Sequence, residues 1–317
     1  MLVEDSRAFQ QTTDHITKAV KARFVLAAQL YNRVFFFFAF LLASLAICAL
    51  IASQSALAFG IFAVAMITAL LIAYVTMRFC AERKEEEAEK LTQALIDECH
   101  ATFDPFESVE QTHLIAAEAA RSLSADLKGV EKELCRPVIK SLDQAFEKLS
   151  LLIHGNGVRA LRKEALQAAA SEIIEAIVQN PISPEHHKKL AIVYLEVACL
   201  YADEGGIPSS LEAYSKAIRQ AISQLGVAKH LGSRDPWLYE QLIECYGALK
   251  EEKELLETCS ELLEIAPERS DALYYVGRRY FEYGLYAEGL RIYERLLQMD
   301  SERAHVLLRV YHRHLTT

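Results

Sequence analysis

The side chains that could do chemistry in this chain of 317 residues are few and poorly grouped. Cys99-His100 joins a thiol to an imidazole, but no partner follows at metal-ligand spacing. His186-His187 are adjacent in a segment flanked by Pro181 and Pro184, which reads as a loop. His312 and His314 are two apart and would point to different sides of a helix. His154-Gly155-Asn156-Gly157 has the composition of a turn, not of a phosphate cradle, and no P-loop, G-x-G-x-x-G or G-x-S-x-G run occurs. The sequence therefore predicts no catalytic centre, no cofactor site and no metal site. An enzyme reading would need titratable groups converging within Lys84 to Leu152, and none can be named there.

Cys48, Cys80, Cys99, Cys135, Cys199, Cys245 and Cys259 form no C-x-x-C pair. Most sit in apolar helical patterns, as small buried hydrophobes of a reducing compartment do.

The elements that must hold these side chains are helical throughout, because no alternating strand pattern appears; the expected class is all-α. The most apolar stretch decides the architecture. From Val34 to Met77 there are 44 residues without Asp, Glu, Lys, Arg, His or Pro. As one helix that run would reach about 66 Å, roughly twice a hydrocarbon core of about 30 Å. Two spans fit better, 34–52 and 56–77, with a turn at Ser53-Gln54-Ser55, whose side chains can satisfy backbone groups at the bilayer surface. Ala56-Leu57-Ala58 resembles a signal-peptidase site, but a 33-residue charged lead is long for a signal peptide.

Residues 1–33 carry five Lys or Arg against three Asp or Glu, and Arg78, Arg83 and Lys84 follow the second span. The positive-inside tendency then places both termini on the cytoplasmic side. With a net charge of −9 overall, residues 78–317 carry −11, which argues against nucleic acid as a partner. Ala43, Ala46, Ala49, Ala63 and Ala69 offer a packing surface through which a second copy could form a homo-oligomer.

Four segments follow: 1–33 as an N-terminal cytoplasmic segment, 34–77 as the two-span hairpin, 78–158 as a helical spacer or bundle, and 159–317 as a repeat domain. In the last, Tyr246 and Tyr280 lie 34 residues apart, as do Leu262 and Leu296. Within Ala272 to Asp300, Gly277, Tyr280, Gly284, Tyr286, Gly289 and Tyr293 alternate small and aromatic residues. This resembles the tetratricopeptide repeat family, whose helix pairs touch at small residues and are filled by aromatics.

The resemblance implies repeats at Ser270 to Arg303, Pro236 to Arg269 and Ala191 to Gln224, about 11 extra residues at Leu225 to Asp235, and a capping helix from Ala304. Leu166 to Pro181 resembles the second helix of a repeat whose first helix is not recognisable.

From the same resemblance comes an α-solenoid whose first helices line a groove for a protein or peptide ligand. The groove positions would be Trp237, Glu240, Glu244, Asp271, Tyr274, Arg278, Phe281 and Glu282, then His305 and His312 in the cap. Trp, Tyr and Arg are the types that anchor protein contacts. The positions where family members clamp a terminal carboxylate hold Leu195 and Cys199, which argues against that ligand class.

The expected role is thus a membrane-anchored scaffold or adaptor, held in the lipid bilayer through 34–77, that recruits a partner. The hairpin also resembles the bilobed domain of chlamydial inclusion membrane proteins. That would imply a secreted protein displaying its tail to host cytosol, in an inclusion membrane instead of a bacterial inner membrane. A subunit of a membrane enzyme complex is the third reading.

Overall fold

A computed structural model describes residues 2–51, 56–103, 107–135, 143–202 and 210–315, and every regular element among them is a helix. The chain forms two compact units, Met1–Pro181 and Ile182–Thr317.

The first unit contains α1 (Leu2–Ile51), α2 (Ala56–Phe103), α3 (Val109–Asp126), the single turn α4 (Val130–Glu133) and α5 (Asp143–Gln179). Its core follows from spacing. Ile16, Val20, Phe24 and Ala28 recur every four residues on α1, and all are buried. Leu95, Cys99 and Phe103 of α2 and Leu161, Ala165, Ala169, Ile173 and Ala176 of α5 are buried as well, and α2 packs on both α1 and α5. On α3, Ala116, Ala117, Ala119 and Ala120 are all at most 2% exposed, so small side chains let neighbouring helices approach closely. Ser108 caps α3 by accepting a hydrogen bond from the Gln111 amide.

Toward the apolar part of the hairpin a polar collar ties three helices together. The Tyr31 hydroxyl donates to Glu87 (2.9 Å) and Lys84 Nζ donates to the Ile153 carbonyl (2.8 Å). Asn32 is the hub: its amide nitrogen donates to the Leu134 carbonyl, while Oδ1 accepts from His154 Nε2 (2.6 Å) and from the Cys135 thiol (3.0 Å). Burial next to Lys84 pushes the His154 pKa down to about 4, so the imidazole stays neutral.

Two sequence expectations change in this unit. His154-Gly155-Asn156-Gly157 is not a turn but lies within the 37-residue α5. The reason is packing: a β-carbon at Gly157 would stand 3.1 Å from Lys84 Cδ, so glycine there serves close helix approach. The unit consequently ends at Pro181, beyond the expected boundary at 159, and Leu166 to Gln179 completes α5 instead of a repeat.

The hairpin is described in part. The expected turn at 53–55 lies outside the described residues. Among those described, one helical stretch, Thr12–Cys48, is long and apolar enough to cross a membrane, and Ala63–Thr76 is a shorter apolar stretch. α1 and α2 pack against each other. Ala69 and Ala73 are buried, while Phe37, Phe40, Ile67, Leu71 and Val75 are exposed. Two full spans are therefore not established by the helix lengths. α2 also runs without interruption from the apolar stretch to Phe103, so no break separates an anchor from a spacer at 78.

The second unit is a run of helix pairs: α6 (Pro184–Ala202) with α7 (Leu211–His230), α8 (Pro236–Leu249) with α9 (Glu252–Ile265), α10 (Ser270–Glu282) with α11 (Tyr286–Met299), and α12 (Ser301–Leu315) at the end. The starts of α8 and α10 are 34 residues apart, as are those of α9 and α11, the period expected of tetratricopeptide-like repeats. Of the 11 extra residues, 225–230 lengthen α7 to His230 and 231–235 form the link to α8. Asp235 caps α8, with Pro236 at its first position, and Lys250 ends it in the left-handed conformation at φ 60°.

Each pair is held by a contiguous apolar cluster. Leu238, Leu242, Ile243, Leu255, Cys259 and Leu262 belong to one, Leu273, Phe281, Ile292, Leu296 and Leu307 to the next. His186 and His187, expected in a loop, sit buried on the first turns of α6. Pro184 fixes the first position of that helix without losing a needed hydrogen bond, and His187 Nδ1 contacts Gln224 Oε1 at 2.8 Å.

Candidate functional site

The expected groove residues divide into three groups. Tyr274, Arg278 and Glu282 recur at four-residue intervals on α10 and line one recess with Val306, Arg309, Val310 and Arg313 of α12. Arg278 Nε donates to Glu282 at 2.7 Å, and this hydrogen bond raises the guanidinium pKa further. Arg278 is nonetheless about half exposed, so its charge faces solvent. Three guanidinium groups stand against the one carboxylate of Glu282, and Tyr274 with the two valines supplies apolar area. The recess is therefore locally basic on a chain of net charge −9.

A second group makes ion pairs and packing contacts within the repeat stack. Glu244 on α8 accepts from Tyr275 and pairs with Arg279 (2.5 Å), which also donates to Glu282 (2.8 Å). Burial opposes the Arg279 charge, but bonds to Tyr275 and Glu244 outweigh it and raise its pKa. Glu240 lies 3.8 Å from Arg269, which also pairs with Asp271. Burial raises the Glu240 pKa against the attraction of Arg269, whereas the Arg269 hydrogen bond lowers that of Asp271. Trp237 packs against the α8–α9 core.

Phe281 forms the third group and is a correction. It is 1% exposed, packs its ring 4.9 Å from that of Tyr311, and belongs to the α10–α11–α12 core, so it cannot face a partner. Gly289 leaves the space its ring fills, which is why an aromatic at this position turns inward.

The cap histidines also fall beside the recess. His305 and His312 are exposed, and each stands one residue before a lining residue, Val306 or Arg313. Burial of Ala304 and Leu307 sets the rotation of α12. Val306, Arg309, Val310 and Arg313, which line the recess, form an i, i+3, i+4, i+7 pattern one step off the histidines.

In the first unit the fold brings together what the sequence kept apart. His100 Nε2 and His113 Nδ1 lie 2.9 Å and 2.7 Å from the same Glu172 oxygen. His100 thus has partners after all, supplied by α3 and α5 and not by its own neighbours in sequence. These three are the group of potential metal ligands found among the described residues.

No family model matches the chain, and no curated protein matches it. Among solved structures it is similar to TTC0263, a tetratricopeptide repeat protein of Thermus thermophilus, at 15% identity over 63% of this chain and 100% of that one, TM-score 0.37. MamA protein is similar at 16% identity over 69% and 96% of the two chains, TM-score 0.35. YrrB, described as a repeat protein of the same type with an unusual peptide-binding site, is similar at 14% identity over 61% and 92%, TM-score 0.34. At these values the similarity transfers no residue role and no ligand.

Proposed function

We propose that this chain is a membrane-anchored interaction scaffold whose α10–α12 recess holds an acidic segment of a partner protein at the membrane surface. The observation that carries this reading is the recess itself. Arg278, Arg309 and Arg313 surround apolar area from Tyr274, Val306 and Val310, the combination that gives an interface both a charge fork and desolvated contact. A basic patch on an acidic chain favours an acidic partner by steering and by rejecting basic competitors.

The anchor is the hairpin, crossing twice with both tails on one side. Supporting this, only 6% of the most apolar window of Thr12–Cys48 is buried, unlike a soluble core helix, and α1 packs on an α2 that is itself apolar over Ala63–Thr76.

The test is binding of an array of charged peptides to the full chain in nanodiscs. Acidic peptides should bind in preference to basic ones, and Tyr274→Ala with Arg278→Glu should weaken them by about tenfold or more, equal to about 1.4 kcal/mol. Equal binding by the variant would exclude the recess as the binding surface.

A further inference from the structure

The cluster formed by His100, His113 and Glu172 is independent of the recess. His100 lies in the last turn of α2, His113 in the first turns of α3, and Glu172 in the C-terminal part of α5, so one point fastens three helices. One nitrogen from each ring and one carboxylate oxygen all fall within 4.8 Å of one another, and the two rings meet edge to face at 5.0 Å between centroids. The side chains are 25%, 18% and 14% exposed, so the cluster is largely but not wholly screened from bulk water.

We propose that these three residues bind a zinc ion that staples α2, α3 and α5. Two imidazoles and a carboxylate form the borderline donor set that zinc takes, with a water completing the tetrahedron. Ligand atoms about 2.0–2.2 Å from zinc stand about 3.3 Å apart at tetrahedral angles. The present separations of 2.7 and 2.9 Å are those of a hydrogen-bonded, metal-free triad. Opening it by about half an ångström admits the ion, and each imidazole then carries its proton on the other ring nitrogen. The negative charge of Glu172 is what makes a dication welcome there.

The experiment uses the full chain in detergent micelles, stripped with chelator, then given zinc or cobalt(II). The expected results are one zinc per chain, an upward shift in the thermal midpoint with zinc, and a cobalt spectrum of nitrogen and oxygen donors without thiolate charge transfer. The spectrum matters because the chain has seven cysteines that compete for zinc. His113→Ala and Glu172→Gln should each weaken the site by more than about 100-fold, since even outer-shell changes cost about 10- to 100-fold. His305→Ala, exposed and in the other unit, should leave it intact.

Glu172→Gln keeps an acceptor for the imidazoles and so preserves the packing. Should His113→Ala unfold, the missing zinc-dependent shift in Glu172→Gln decides the matter. A wild-type chain that takes up no zinc, a thiolate cobalt spectrum, or variants that bind zinc undiminished would each overturn the site.

Discussion

The ring of Phe281 on α10 occupies the space where a β-carbon of Gly289 on α11 would stand. Adding that carbon forces the ring or the helix to move. Gly289→Ala is therefore expected to destabilise the second unit by about 1–3 kcal/mol, as overpacking does, although alanine favours a helix over glycine by about 1 kcal/mol. Gly226 on α7 has nothing within 4 Å of its missing β-carbon, so Gly226→Ala should stabilise instead, by up to about 1 kcal/mol. Trp237 is the only tryptophan and packs on the core of this unit, so its fluorescence in urea reads both variants. Shifts of the same sign would contradict the packing.

His154 should make the first unit acid-sensitive. Its folded pKa of about 4 lies below the usual 6.5, so the unfolded chain binds the extra proton first. Stability is complete above about pH 6.5 and falls as the pH drops toward about 4, by on the order of 3 kcal/mol in all. The variant His154→Gln cannot titrate but can still donate to Asn32 Oδ1, and should lose less over that window. Urea midpoints of the helical signal at pH 7 and pH 4.5 provide the comparison. Equal losses in the two proteins would rule out His154 as the cause.

The hairpin makes a prediction about sidedness. A cysteine at Gln54, in a chain otherwise freed of cysteine, should react with a membrane-impermeant reagent only from the face opposite a tag placed after Thr317. Labelling from the tagged side would leave at most one crossing.

The sequence and the structure agree where a single periodicity decides the outcome. The 34-residue spacing of Tyr246 and Tyr280 located α8 to α11, because small and aromatic residues at fixed offsets can pack in few ways. The continuity of α5 through 154–157 is not legible in the sequence because Gly155 and Gly157 signal a turn locally, whereas Gly157 serves the approach of Lys84 from another helix. The inward turn of Phe281 is hidden for a related reason, since only Gly289 across the pair reveals which way the ring turns. His113 and Glu172 stand 13 and 72 residues from His100, and no local spacing rule joins them; three helices had to be packed first.

Selection of an acidic partner by the recess between α10 and α12 is tested most directly by titrating one acidic, extended peptide into the full chain in nanodiscs, and repeating with Arg278→Glu together with Arg309→Glu. Binding to the native protein should weaken with added salt and fall by about tenfold or more in the variant. Binding that is unaffected by both salt and charge reversal, or stronger binding of the matching basic peptide to the native protein, would contradict a basic docking recess.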